Sequence, residues 1–123
     1  ARRYPNQKTL PREFGSVERF IEPCILLLLS KNQAHGYQLR EDLIKHCGHK
    51  VDIGNLYRTL RRMEADDLVT SDWQKGEGSK DRRTYSITED GKLFLNDAVA
   101  SLKQTDKLIH QLFDSYKKVY PEV

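Results

Sequence analysis

From Cys24 to Leu29 the chain reads Cys-Ile-Leu-Leu-Leu-Leu, an unbroken apolar run between Pro23 and Ser30. No single face of a helix holds all of these side chains. The segment is therefore expected at the centre of a core, covered on every side. It is far short of the ~20 apolar residues that cross a bilayer. The rest of the chain has to supply faces that cover it. With 123 residues, one domain with few layers is the default. Hydrophobic residues at 37% and charged residues at 32% make a globular mixture with a heavily solvated surface. The chain is too apolar to read as disordered.

The covering faces can be read in order. The core segment belongs to a first helix expected from about Ser16 to Ser30. Ser16 is placed as its N-cap, and Pro23 either kinks the helix or starts a new one. "NQAHGYQLREDLIKHCG" reads as a turn and a second helix with Leu39 and Leu43 on its inner face, stopped at Gly48. Asp52 is placed to cap a third helix over about Ile53 to Asp66. "TSDWQ" and "RTYSIT" are rich in strand formers and flank "KGEGSKDR", a glycine-bearing hairpin tip. "TEDG" opens a long last helix. On it Leu95, Val99, Leu102, Ile109, Leu112, Phe113 and Tyr116 recur at helical spacing. Three helices followed by a two-stranded hairpin describe a winged helix-turn-helix domain, so the expected fold class is mainly α with a small β-hairpin. The expected organisation is a basic N-terminal arm over 1–15, the winged helix over 16–91 and a C-terminal dimerisation helix over 92–123.

The third helix carries the functional signal. Ile53, Leu56, Leu60 and Met63 gather on one side of a helical wheel. Asn55, Arg58 and Arg62 gather on the opposite side, with Arg61 and Thr59 on the flanks. Beyond the capping Asp52, the N-terminal end has no competing carboxylate. Arginine pairs bidentately with guanine and asparagine with adenine in a major groove. The opposing reading is an ordinary solvated face, for which Arg62 and Asp66 have ion-pair spacing. Against it, Arg58 and Arg62 are like charges four residues apart, which is mildly destabilising in isolation. Tyr57 falls near the apolar side. The hairpin adds Lys75, Lys80, Arg82 and Arg83 around its tip, where they can reach phosphates beside a groove. Glu77 and Asp81 support a merely solubilising hairpin.

Total charge decides little. The net charge is +3 with a pI near 8.9. The segment from Val51 to Lys92 holds nine acids against eight bases. The case for a polyanion partner rests on which face the charges occupy. The arm adds Arg2, Arg3, Lys8 and Arg12 with no acid among its first twelve residues, which suits either phosphate contact or a solvated terminus.

Other chemistry is weakly marked. Cys24 reads as a small buried hydrophobe and Cys47 as an exposed residue unrelated to it. Without a disulfide framework a reducing, cytoplasmic setting fits. No signal peptide is visible. His46, Cys47 and His49 could serve as ligands for zinc or copper. A metal site needs three or four ligands at fixed spacing, and three polar residues in a loop after a helix are more often just a loop, so no metal and no cofactor is expected. There is no phosphate-binding glycine loop, nucleophile elbow or marked carboxylate pair, so no enzyme is expected.

Three stretches together resemble the PadR-like transcriptional regulators. "ILLLLSKNQAHGYQL" resembles the family's first helix and the His-Gly-Tyr opening of its second. "VDIGNLYRTLRRMEADDLV" resembles its recognition helix, with Gly-x-Leu-Tyr and the Leu-x-x-Met-Glu-x-x-x-Leu-Val ending. "RRTYSITEDGK" resembles its second wing strand and the Thr-x-x-Gly entry to the last helix. The resemblance covers about residues 20 to 95. It implies a homodimeric repressor of operator DNA. By analogy Asn55, Tyr57 and Arg58 approach bases or phosphates, Tyr37 and Gln38 lie near the backbone, and Arg82 and Arg83 make wing contacts. His35 and Gly36 match the family's turn, where a structural role is implied. The last helix is implied to dimerise and in some relatives lines a small-molecule effector pocket against a tryptophan. Here the tryptophan is Trp73, in the first wing strand, which puts such a pocket in doubt. "FIEPCILLLL" resembles a branch of polyhydroxybutyrate-responsive repressors.

Two functions follow from different classes. One is a ligand-responsive dimeric repressor with operator DNA as partner and no membrane. The other is a winged-helix protein-interaction module whose arginine face meets an acidic partner, with no operator-specific DNA binding.

Overall fold

The computed structural model describes residues 17–75 and 81–122. The expected arm, the Ser16 cap and the wing-tip Lys80 lie outside the described residues. The elements are α1 (Val17–Lys31), β1 (Ala34–His35), α2 (Gly36–Cys47), α3 (Ile53–Ala65), β2 (Val69–Lys75), β3 (Asp81–Ile87) and α4 (Glu89–Val119). They build a mostly helical winged helix with a small antiparallel sheet and a long last helix.

The core forms where the apolar stripes of α1, α2 and α3 meet. Ile21, Ile25, Leu26, Leu28 and Leu29 of α1 bury against Leu39 and Leu43 of α2 and Leu56, Leu60 and Met63 of α3. Pro23 sits inside α1 and the helix continues through it. The missing N–H removes one hydrogen bond, and the burial on either side holds the turn in place. Burial on every side does not hold for Leu27, which is 52% exposed. It lies about 200° around the helix from both Ile25 and Leu29, which are buried.

The sheet has three strands in the order β1-β3-β2, where the sequence reading expected a two-stranded hairpin. The added strand is Ala34–His35, within a stretch whose sequence predicts a turn. Ala34 pairs with Tyr85 and His35 with Thr84. A two-residue strand shows no alternation, so only its partner reveals it. The hairpin register runs from Val69 opposite Ile87 to Lys75 opposite Asp81.

Local caps set the helix ends. Gly48 closes α2 at φ 71°, a left-handed conformation that glycine adopts without a Cβ penalty. Asp52 caps α3 by accepting the Asn55 N–H at 2.8 Å. After α3, Asp67 takes φ 62°, and the reversed chain lets the Leu68 N–H reach the Met63 carbonyl at 2.9 Å. Thr88 accepts the Gly91 N–H at 2.9 Å and donates to the Asp67 carbonyl at 2.6 Å. It thereby ties the start of α4 to the α3–β2 turn. Gly91 is buried, and a Cβ there would collide with the Leu68 carbonyl.

Helix α4 has 31 residues, roughly 46 Å at the usual rise. Its first turns lie along α1, with Leu95 packed against the core and Ala98 and Leu102 half-buried. From Lys103 to Glu122 every residue is exposed. Ile109, Leu112, Phe113 and Tyr116 thus extend the stripe beyond the body that covers its beginning.

Candidate nucleic-acid interface

The wheel drawn from the sequence survives on α3. Leu56, Leu60 and Met63 are fully buried, while Asn55, Arg58, Arg61 and Arg62 are exposed on the other side. The N-terminal end is organised by the cap. Asp52 takes the Asn55 N–H with one oxygen and the Asn55 side-chain amide with the other, at 2.7 Å. The Asn55 carbonyl oxygen then accepts from Arg58. Asn55 and Arg58 therefore stand as one polar unit, oriented from below by a single carboxylate.

Arg62 reaches across to Glu22 of α1 at 2.6 Å. With the arginine more than half exposed, such a pair contributes ~0–1 kcal/mol and yields readily to a stronger anion. A hollow opens beside this face, lined by Ile21, His49, Lys50, Val51, Asp52, Asn55, Arg58, Thr59 and Arg62. Helical spacing does not reveal His49 and Lys50 as neighbours of the arginine face, because they precede the helix; their position just upstream of the Asp52 cap is the sequence signal for it.

Tyr57 stands apart from the outer face. It is half-buried, packs against the core and lays its ring over Gly36. Burial, and then the neighbouring Tyr37, push its hydroxyl above the ordinary tyrosine range. Tyr37 and Gln38 are exposed at the start of α2, and Gln38 donates to Asp42 at 3.2 Å.

The wing arginines differ from each other. Arg82 is exposed, with Nη1 3.1 Å from His35 Nε2. Arg83 lies on the Trp73 ring, 5.5 Å from its centroid, on the cross-strand partner of its own position. Its Nε donates to Ser71 Oγ at 2.8 Å, and Ser71 donates to Glu64 at 2.9 Å. Glu64, the acid carried by α3, is thus turned toward the sheet and away from the arginine face. Trp73 is 66% exposed in β2, far in sequence from the exposed apolar stripe of α4.

The two cysteines are related after all. Cys24 in α1 and Cys47 at the end of α2 are neighbours close enough to influence each other's thiol, and both are half-buried, so Cys47 is not the exposed residue the sequence suggests. Burial, reinforced by that neighbour, pushes the Cys24 thiol up to about 12, which makes it a poor nucleophile. Among the described residues, no three His, Cys, Asp or Glu side chains are grouped to hold a metal ion. No described helix is long and apolar enough to cross a membrane.

This arrangement, with a capped helix bearing an arginine face, a three-stranded wing and a long final helix, can be set beside known proteins. The model of the transcriptional regulator PadR-like family matches residues 25–97. The chain belongs to the PadR-like family of transcriptional regulators. Transcriptional regulator Rv3488 of Mycobacterium tuberculosis is 36% identical over 80 residues, covering 65% of this chain and 73% of that protein. The crystal structure of TA0346 from Thermoplasma acidophilum superposes with a TM-score of 0.72 at 30% identity, over 80% of this chain and 94% of that one. The PadR-like regulator BC4206 of Bacillus cereus superposes at 0.70 with 27% identity, over 79% and 94%. The matched PadR region runs from the middle of α1 into the first turns of α4, so it includes the arginine face, the wing and the Thr88 cap.

Proposed function

We propose that this PadR-family chain is a homodimeric, sequence-specific DNA-binding repressor that acts in the cytoplasm, carries out no catalysis and responds to a small molecule. One observation carries the DNA reading. Helix α3 presents Asn55, Arg58, Arg61 and Arg62 together on an exposed face, while its own acid, Glu64, is turned to Ser71 and Arg83. The N-terminal half of that face is the part that enters a major groove, where the Asn55–Arg58 unit meets base edges and the wing meets the backbone. The exposed stripe of α4 supports a dimer, because a second copy covers it and sets two recognition helices at a fixed spacing. Repression and effector response rest on the family resemblance. The opening segment makes polyhydroxybutyrate-related compounds the first class to screen.

The test is a fluorescence-anisotropy titration with the chain's own upstream promoter duplex and a scrambled duplex, at two salt concentrations. Preferential binding to the promoter with a steep salt dependence is expected, and Arg58→Ala is expected to remove the preference at a cost of ~10-fold or more in affinity. Equal, weak binding to both duplexes that vanishes at moderate salt would overturn the reading and favour an acidic protein partner for the same face.

A further inference from the structure

The contact between His35 and Arg82 contains a conflict that the chain alone does not resolve. A neutral imidazole has one N–H and one lone pair. His35 caps α2 with Nδ1, which accepts the Gln38 N–H at 3.2 Å. The ring proton then sits on Nε2. Facing Nε2 at 3.1 Å is Nη1 of Arg82, and a guanidinium has donors only. Two donors point at one another.

Changing the protonation state moves the conflict without removing it. With the proton on Nδ1, Nε2 can accept from Arg82, but Nδ1–H then meets the Gln38 N–H and α2 loses its cap. With both nitrogens protonated, both contacts oppose and two cations stand together. An anionic oxygen at the exposed edge of the pair removes the conflict. It accepts from Nε2–H and from Arg82 at once, and leaves Nδ1 to cap the helix.

The backbone brings these two groups together. His35 is the register partner of Thr84 in the β1–β3 ladder. Arg82 is two residues along β3 from Thr84, so it lies on the same face of the sheet, diagonally across from His35. The pair therefore sits where the wing joins the start of α2, beside the exposed Tyr37.

We propose that His35 Nε2–H and the Arg82 guanidinium together grip one backbone phosphate of bound duplex DNA. This assigns His35 a DNA contact in addition to its capping role. It rests on the DNA-binding function proposed above and names a contact within it.

The test compares the full chain with His35→Asn, Arg82→Ala and the double variant. Asparagine is a good N-cap, so His35→Asn keeps an acceptor for Gln38 and deletes the Nε2 donor. Circular dichroism checks that helix content is retained. Each single variant is expected to bind promoter duplex ~3–10-fold more weakly. Arg82→Ala should also lower the salt slope by about 0.9, the value of one neutralised phosphate, while His35→Asn, which removes an uncharged donor, should leave the slope nearly unchanged. The double variant is expected to lose less than the product of the two single losses, because both groups serve the same phosphate. In a separate arm, inorganic phosphate is titrated while the ring nitrogens of His35 are followed by NMR. A saturable Nε2 shift that disappears in Arg82→Ala is expected.

Wild-type duplex binding with unchanged affinity in the variants overturns the phosphate grip and leaves the DNA reading standing. Absence of duplex binding by the wild type overturns both. A phosphate-induced shift without duplex binding also overturns the assignment to DNA and identifies a free-anion site.

Discussion

Gly36 and Tyr57 interlock at the junction of α2 and α3: the tyrosine hydroxyl lies 2.5 Å from where a Cβ on residue 36 would stand, so the ring fills the space a side chain would need. The first residue of α2 is buried under that ring. This explains why glycine follows the His35 cap and why Tyr57 is drawn away from the arginine face of its own helix.

Gly36→Ala is therefore expected to destabilise the chain by ~1–3 kcal/mol through overpacking. Two ring carbons stand at 2.6 and 2.7 Å from the added methyl, almost as close as the hydroxyl, so Tyr57→Phe gives little relief. Tyr57→Leu removes the obstruction. In a double-mutant cycle followed by thermal denaturation, Gly36→Ala should cost clearly less in the Tyr57→Leu background. Equal costs in the two backgrounds would contradict the interlock.

Asp52 holds both the first turn of α3 and the Asn55 side chain. Asp52→Ala is expected to cost ~1 kcal/mol of stability, the usual size of an N-cap loss. Asp52→Asn retains an acceptor for the Asn55 N–H and should recover most of it. Chemical denaturation midpoints for the three proteins check the order. A destabilisation by asparagine as large as that by alanine would mean that the carboxylate charge, not the cap, is the relevant feature.

The exposed end of α4 gives a prediction about assembly. Leu112 is 65% exposed and Phe113 is 55% exposed. If a second copy covers them, Leu112→Glu enters a symmetric interface twice. At ~1.5 kcal/mol or more per buried leucine, the dimer should dissociate ~100-fold more readily. Analytical ultracentrifugation across a dilution series measures this. A wild-type chain that is monomeric at high micromolar concentration would count against the dimer reading.

His110 offers a pH test confined to α4. Its Nδ1 lies 2.9 Å from the Asp106 carbonyl oxygen and 3.3 Å from the Asp106 carboxylate. The backbone hydrogen bond first, and the carboxylate charge second, raise its pKa above the ordinary 6.5. A raised folded value means that protonation favours the folded helix. That contribution is fully present below 6.5 and is lost as pH rises through the folded pKa. An NMR titration should place the His110 midpoint above 6.5, and Asp106→Asn should lower it part of the way. A wild-type midpoint at or below 6.5 would contradict the assignment.

Much of the fold was legible because its signals are local. Gly48 supplies a left-handed stop, Asp52 and Thr88 supply side-chain acceptors to the N–H three residues on, and the apolar stripe of α3 repeats within one helix. Each depends on neighbours within about a turn, so sequence spacing contains the geometry. The face carrying Asn55, Arg58 and Arg62 was legible for the same reason.

What the sequence by itself determined, then, is the order of the helices, where they start and stop, which sides are apolar, and, through three motifs in register, membership of the PadR-like family. Tertiary structure decided the contacts between residues distant along the chain. It made Ala34 and His35 a strand, because their partners Tyr85 and Thr84 lie some fifty residues away. It turned Arg83 onto Trp73 and Ser71, left Arg82 facing His35, brought Cys47 to Cys24, and drew Tyr57 over Gly36. Periodicity along one segment carries no information about which side chain of another segment will meet it. That is settled only when the helices pack and the sheet fixes its register.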